Sequence, residues 1–346
     1  MIGAILKEYN LDSNDCVVQP FGSGLINYTW KITKGNEAYI LQHINHNIFR
    51  HPEYIAANVR MVANYLHDSY PGYLFVAPVT TITGKDMSIY KGENYFRMFP
   101  FIKGSHTVDV VNDPRLAYEA AKQFGAFTKK TSGFDATSLK ITLPDFHNLT
   151  LRYGQFENAL NNGNPARIEA AAAIIEKLKS YKDIVDAFEI IKRDPAFRIR
   201  VTHHDTKISN VLFDEAGKGL CVIDPDTIMP GYFISDVGDM LRTYLSPANE
   251  EETDLDKIEV RQEYLDAIIK GYLSEMEDEL TEKEKAVFIY AGKFMIYMQA
   301  LRFITDYLNN DVYYGEKYEG HNLVRAKNQL VLLEKLIEIE RKNPSL

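Results

Sequence analysis

Residues 200–226, RVTHHDTKISNVLFDEAGKGLCVIDPD, place four aspartates and two adjacent histidines among short runs of Val, Leu and Ile. Such runs, bounded by turn residues, read as strands, and EAGKG joins two of them as a hairpin. The end of an apolar strand is a costly place for a carboxylate, because desolvation and like charges both oppose its ionisation. Asp205, Asp224 and Asp226 nevertheless fall at such ends, and the hairpin returns the chain so that Asp224 lies at the same end of the sheet as Asp205 and Asn210.

A carboxylate that accepts a hydroxyl proton, together with an Asn and an Asp that hold magnesium, is the set that phosphoryl transfer uses. Magnesium takes oxygen ligands and few carboxylates beside the phosphates, and a cation removes the repulsion within the cluster. The bland alternative is a series of turn and capping aspartates. Lys207, two residues after Asp205, is either a cation aimed at the transferring phosphoryl group or a solvated surface lysine. His203 reads as structural, a hydrogen-bonding brace for the loop, and His204 has no assigned part.

Around this segment the chain divides in two. Before residue 100 the pattern is strands with one helix: TWKIT and AYILQHI flank the turn KGNE, and MSIY and NYFRMFPFI flank KGEN. LFVAPVTT reads as a further strand, and a helix begins at Pro52 and runs through EYIAANVRMVANYLHD. Beyond FIKGSH, helical spacing dominates, as in PRLAYEAAKQFGAFTKK and EKEKAVFIYAGKFMIYMQALRFITDYLNN. The expectation is an α+β, two-lobed molecule: residues 1–100 a small β-rich nucleotide lobe, residues 101–346 a larger, mainly helical lobe with the catalytic and substrate residues, and a hinge near 97–104.

Bulk properties narrow the class. The 346 residues are 45% hydrophobic and 25% charged, ordinary for a globular protein, and the formal charge of −9 opposes nucleic-acid binding, which favours a basic stripe. Cys16 and Cys221 are far apart and form no metal-ligand spacing, which fits a reducing setting. MIGAILKEYN has no long apolar core of a signal peptide, and no run reaches the ~18 apolar residues of a membrane span. A cytoplasmic protein with a small-molecule partner, and neither nucleic acid nor membrane, is expected; oligomeric state is not legible.

HxDxxxxN followed by an apolar strand and Ile-Asp resembles the aminoglycoside phosphotransferase and choline kinase superfamily, relatives of protein kinases. FGSGLINYTW, YILQHINHNIF, THHDTKISNVLFD, VIDPDTIMPG, DVGDMLR and LRFITDYLNNDVYYG are similar to N-acetylhexosamine 1-kinases, over residues 17 to 315. The resemblance implies ATP and Mg2+, Asp205 as catalytic base, Asn210 and Asp224 as metal ligands, and Asp226 as a second carboxylate on the metal. It implies that Gly22, Ser23 and Gly24 cover the nucleotide, and that Met98, Phe99 and Phe101 lie where such enzymes hold adenine. It further implies a sugar acceptor facing Arg302 and Tyr313, phosphorylated at its anomeric hydroxyl; another alcohol, such as an amino alcohol or an aminoglycoside, or a catalytically impaired nucleotide binder, are the alternatives.

Three readings stay open. Gln42 stands where related kinases carry a phosphate-anchoring Lys or Arg, so the phosphates rest either on Gln42, loop amides and magnesium or on a lysine such as Lys31; the helix offers only Glu53 and Asn58 as partners. Asp236 and Asp239 read as structural, with Asp236 a helix cap and loop brace. Tyr244 is either a platform beneath a sugar ring or a core tyrosine, and Arg302 and Asp306, four apart, are either acceptor contacts or an ion pair.

Overall fold

The computed structural model describes residues 1–22 and 26–343. Its first part is an antiparallel sheet of β1 (Val17–Pro20), β2 (Tyr28–Lys34), β3 (Glu37–His43), β4 (Ser88–Tyr90) and β5 (Asn94–Pro100), in the order β1-β2-β3-β5-β4. Both expected hairpins form, and Gly35 supplies the left-handed turn (φ +57°) between β2 and β3. LFVAPVTT does not become a strand: only Val79 bridges to Met98, since Pro78 has no N–H to donate to a ladder. A helix not foreseen, α1 (Ile2–Glu8), covers one face of the sheet with Ile5 and Leu6 against Ile32, Leu41, Phe96 and Met98.

Helix α2 (Pro52–Ser69) starts at the expected proline. It packs both ways: Ile55 and Val59 join Ile44 and Phe49 beneath the sheet, while Val62 and Leu66 enter the large second core. That core belongs to α3 (Pro114–Lys130), α4 (Leu149–Asn162), α5 (Pro165–Ala170), α6 (Ala172–Ser180), α7 (Asp183–Arg193), α8 (Phe233–Tyr244), α9 (Gln262–Met276) and, after the short polar α10 (Glu282–Lys285), α11 (Phe288–Leu308) and α12 (His321–Lys342). Helix α11 is apolar almost all round and runs through the middle, as a helix buried on every side must. Four short strands interrupt the helices: β6 (Arg200–Thr202) pairs with β9 (Met229–Gly231), and β7 (Val211–Phe213) with β8 (Gly219–Val222). The molecule is thus α+β, a small antiparallel-sheet lobe on a larger helical lobe. Among the described residues no helix is long and apolar enough to cross a membrane.

Candidate active site

The loop between β6 and β7 carries HHDTKISN, and buried side chains from behind fix its shape. The two Asp236 carboxylate oxygens accept the backbone N–H groups of His203 (3.1 Å) and His204 (2.7 Å), and Asp239 accepts that of Thr206 (2.9 Å). The Thr206 hydroxyl donates to the Asp236 carbonyl (2.7 Å), the Thr227 hydroxyl to the His203 carbonyl (2.6 Å), and the His203 ring bonds the Ile223 carbonyl (2.9 Å). His203 is fully buried, edge-on to Phe124, so the structural reading of it holds. These bonds hold His204 at φ +66°, a conformation non-glycine residues rarely take. Asp236 braces the loop as expected, but it sits inside the first turn of α8 and caps nothing.

Tyr244 corrects one expectation. It is completely buried and its hydroxyl donates to the Thr206 carbonyl, so it supports the loop from within the core and has no face for a sugar ring.

The loop so held presents Asp205 outward. Its carboxylate meets the Lys207 ammonium at 3.0 Å, and its carbonyl accepts the Asn210 amide N–H (2.9 Å). Burial alone would lower the Lys207 ammonium; the Asp205 and Asp224 carboxylates outweigh it and hold it above its usual value. Asn210 thereby spends its amide nitrogen on the loop and keeps its oxygen for another partner. Its carbonyl accepts Ile223 N–H (2.8 Å), which brings Asp224 alongside in a left-handed turn (φ +60°) that Asp tolerates. Asp224 Oδ1 is buried with no hydrogen-bond partner, and burial, then the charges of Asp226 and Asp205, push its carboxyl up to about 7. A buried carboxylate with a bare oxygen, next to a free amide oxygen, fits a hard divalent cation such as magnesium. Among the described residues no three His, Cys, Asp or Glu side chains form a metal cage, in keeping with a cation that takes its remaining ligands from phosphate and water.

Asp226 is engaged elsewhere. Its Oδ1 forms an ion pair with Arg97 of β5, and its Oδ2 accepts from the Asn27 amide (2.8 Å). Strand register explains the reach: Thr29, Gln42 and Arg97 are cross-strand partners in one row on the face toward the helical lobe. The Gln42 amide oxygen accepts from Arg97 Nε (3.0 Å) and Nη2 (2.8 Å). In the next row Lys31, Ile40 and Phe99 are partners, and Ile40 and Phe99 join Val76, Ile102, Leu212, Cys221 and Ile223 in an apolar floor between the lobes. Phe101 carries the Lys31 ammonium over its ring, 3.8 Å from the centroid, with Phe21 edge-on at 6.0 Å. Met98 is a correction: strand alternation turns it to the opposite face, into the core beneath α1, and its carbonyl is taken by Val79 N–H (2.7 Å). Gly22 lies between β1 and β2 with φ +77°, as a glycine turn requires, whereas Ser23 and Gly24 lie outside the described residues.

In the helical lobe a cleft of about 810 Å³ is lined by Asn148, Arg152, Arg302, Thr305, Tyr313 and Tyr314 among others. Its lining residue Asn148 follows His147, whose Nδ1 lies 3.3 Å from that of His204, the residue before Asp205. Arg302 makes no ion pair with Asp306. Its guanidinium reaches Gln299 (3.3 Å) and the Tyr313 hydroxyl (3.4 Å), while Asp306 accepts the backbone N–H groups of Tyr313 and Tyr314 (both 2.8 Å) and so shapes the turn after α11. Arg152, which the sequence did not single out, donates to Gln155 and to the Asp145 carbonyl and leaves Nε buried without a partner. Burial and the neighbouring Arg302 charge lower its guanidinium below the usual value.

This chain resembles solved small-molecule kinases in fold. The microcompartment-associated aminopropanol kinase superposes with a TM-score of 0.68 at 15% identity, covering 98% of this chain and 97% of that one. The amicoumacin kinase hAmiN in complex with AMP-PNP, Ca2+ and Ami gives 0.61 at 16% identity, covering 99% and 92%. Choline kinase from Cryptosporidium parvum Iowa II gives 0.59 at 14%, covering 99% and 96%. The model of APH, the phosphotransferase enzyme family, matches residues 17–279, and the protein belongs to that family.

Proposed function

We propose that the protein transfers the γ-phosphoryl group of ATP to the anomeric hydroxyl of an N-acetylhexosamine, giving the sugar 1-phosphate. The observation that supports the acceptor class is the charge of the cleft that begins at Asn148, next to the His147–His204 contact. Its lining holds Arg152, Arg302 and Lys192, the last paired with Glu189 (2.9 Å), and one carboxylate, Asp306, whose oxygens both accept backbone N–H groups. Among the described residues Arg152 and Arg302 pair with amide, carbonyl and hydroxyl groups rather than with carboxylates, so an ammonium acceptor of the aminopropanol or choline kind would meet like charge from both. A neutral sugar, by contrast, gains hydrogen bonds from these donors and the face of Tyr313, which is 74% exposed. The resemblance of DTIMPG and RFITDYL to N-acetylhexosamine 1-kinases points the same way.

In this reading Asp205 accepts the proton of the anomeric hydroxyl as its oxygen bonds to the γ-phosphorus and the bond from that phosphorus to the β,γ-bridging oxygen breaks, releasing ADP. An anomeric hydroxyl is more acidic than an ordinary alcohol, which lowers the demand on a carboxylate base. Lys207 stands beside Asp205 to offset charge on the phosphoryl oxygens. Asn210 and Asp224 would hold magnesium, which neutralises phosphate charge when bound. The apolar floor around Ile40 and Phe99 is the surface offered to the adenine.

The test is turnover of N-acetylglucosamine and N-acetylgalactosamine with Mg-ATP, following ADP and reducing sugar together. Loss of the reducing end in step with ADP release is expected. ADP release with the reducing end intact places phosphate on another hydroxyl and refutes the 1-kinase reading, and turnover of amino alcohols alone refutes the acceptor class.

A further inference from the structure

We infer that Arg97 is the cation that anchors the nucleotide phosphates, delivered from β5, with Gln42 as its positioning residue and Asp226 as its counter-ion. The inference rests on the cleft taking ATP and is independent of which acceptor is used. A triphosphate entering between the lobes needs positive charge from the sheet side as well as from Lys207 and the metal. The cleft face of the sheet carries two cations, Lys31 and Arg97. Lys31 stands over the Phe101 ring, in the row of Ile40 and Phe99, at the end that suits a base. Arg97 stands one row further in, against Asp226 and within reach of the Asp224 charge, where phosphates must lie to meet Asn210 and Asp224.

Several features make this a built site. Arg97 is only 2% exposed, so its charge was taken out of water for a purpose that one carboxylate alone does not exhaust. Among the described residues Nη1, though buried, has no hydrogen-bond partner, and the guanidinium lies over the Phe99 ring, 4.9 Å from its centroid. Gln42 receives Nε and Nη2 on one amide oxygen, which fixes the guanidinium plane. A lysine at 42 would put a second positive charge beside Arg97, so a glutamine there and an arginine at 97 form one exchanged pair, the cation having moved to the neighbouring strand. The helix provides no acid to balance it: Glu53 is exposed beside His51, and both polar atoms of the Asn58 side chain are spent on backbone groups. The balancing carboxylate comes instead from Asp226 in the helical lobe, steadied by Asn27.

Calorimetry of ATP and adenosine binding, with thermal unfolding as a check on folding, tests this with Arg97→Gln, Gln42→Lys and the double variant. Charged hydrogen bonds of this kind correspond to about 10- to 100-fold in affinity. Arg97→Gln should weaken ATP by that factor and leave adenosine within about twofold of the parent. The double variant returns a cation to the cleft from β3, keeps Asp226 paired, and should recover most of the lost ATP affinity. Equal losses for ATP and adenosine mark Arg97 as merely structural and overturn the inference, as does unchanged ATP binding by Arg97→Gln. Should Arg97→Gln fail to fold, the double variant decides: near-parental preference for ATP over adenosine supports the exchange, and its loss refutes it. A parent protein that binds adenosine and ATP alike, or neither, removes the nucleotide reading along with the inference.

Discussion

Replacing Asp236 by Asn tests the brace behind the catalytic loop. Burial, countered by the His203 and His204 N–H groups and reinforced by the Asp239 and Asp205 charges, raises this carboxyl from 3.8 to about 7. The folded state therefore holds the proton more tightly than the unfolded chain does, and the stability contributed by Asp236 falls as pH rises from the ordinary value through 7. Between pH 5 and pH 8 the loss is about 3 kcal/mol. Asn does not titrate, but its NH2 must face one of the two N–H donors, which costs about 1–3 kcal/mol at every pH. The depressed His203, His204 and His147 rings act in the opposite sense, destabilising the fold as pH drops below their ordinary value, and they are common to both proteins, so they cancel in the difference. At about 2.1 cal/mol/K per residue, 3 kcal/mol is about 4 °C in Tm for a chain of this size. The parent should be the more stable protein at pH 5 and lose that lead by about 4 °C toward pH 8. A parent–variant difference that stays flat across pH 5, 6, 7 and 8 in scanning calorimetry would show that Asp236 is ionised throughout and that burial does not govern it.

Asp205→Asn keeps the shape of the side chain and removes the proton acceptor. Kcat should fall by about 10²- to 10⁴-fold in a coupled ADP assay while nucleotide Kd stays put, and near-normal turnover would sink the assignment. Asp224→Asn should abolish turnover and the magnesium dependence of ATP binding, yet raise the Tm of the metal-free protein at pH 8, because a carboxyl raised to about 7 destabilises the fold above that pH. A lower Tm at pH 8 would contradict that account of its burial. Arg302→Ala should raise the sugar KM, lower kcat, or both, with the ATP KM nearly unchanged; equal effects on both substrates would mean a loosened α11 rather than a lost acceptor contact.

The residues 200–226 were legible because chemistry forced an anomaly onto them: aspartates at apolar strand ends have few structural excuses. Hairpins and long helices were equally plain, since turn residues and periodicity are local. What escaped depends on partners far along the chain. Arg97 lies in an aromatic strand, and its meaning comes from a register that sets it across from Gln42 and aims it at Asp226. Met98 was misplaced by one step of strand alternation, and Tyr244 by the depth of α8. Arg152 becomes part of the cleft proposed for the acceptor only because α4 lies against α11, a packing that no motif announces. The short α1 carries no side-chain cap to signal it.

Asn58 ties α2 to the helical lobe by three bonds of 2.8 Å, donating to the Lys140 and Ile228 carbonyls and accepting from Lys140 N–H, with its side chain wholly buried. A swing of α2 away from the cleft would break all three at once. At roughly 1 kcal/mol net each, the displaced arrangement is populated about 0.6% of the time. Rocking this helix in and out would have to supply about 3 kcal/mol to break them.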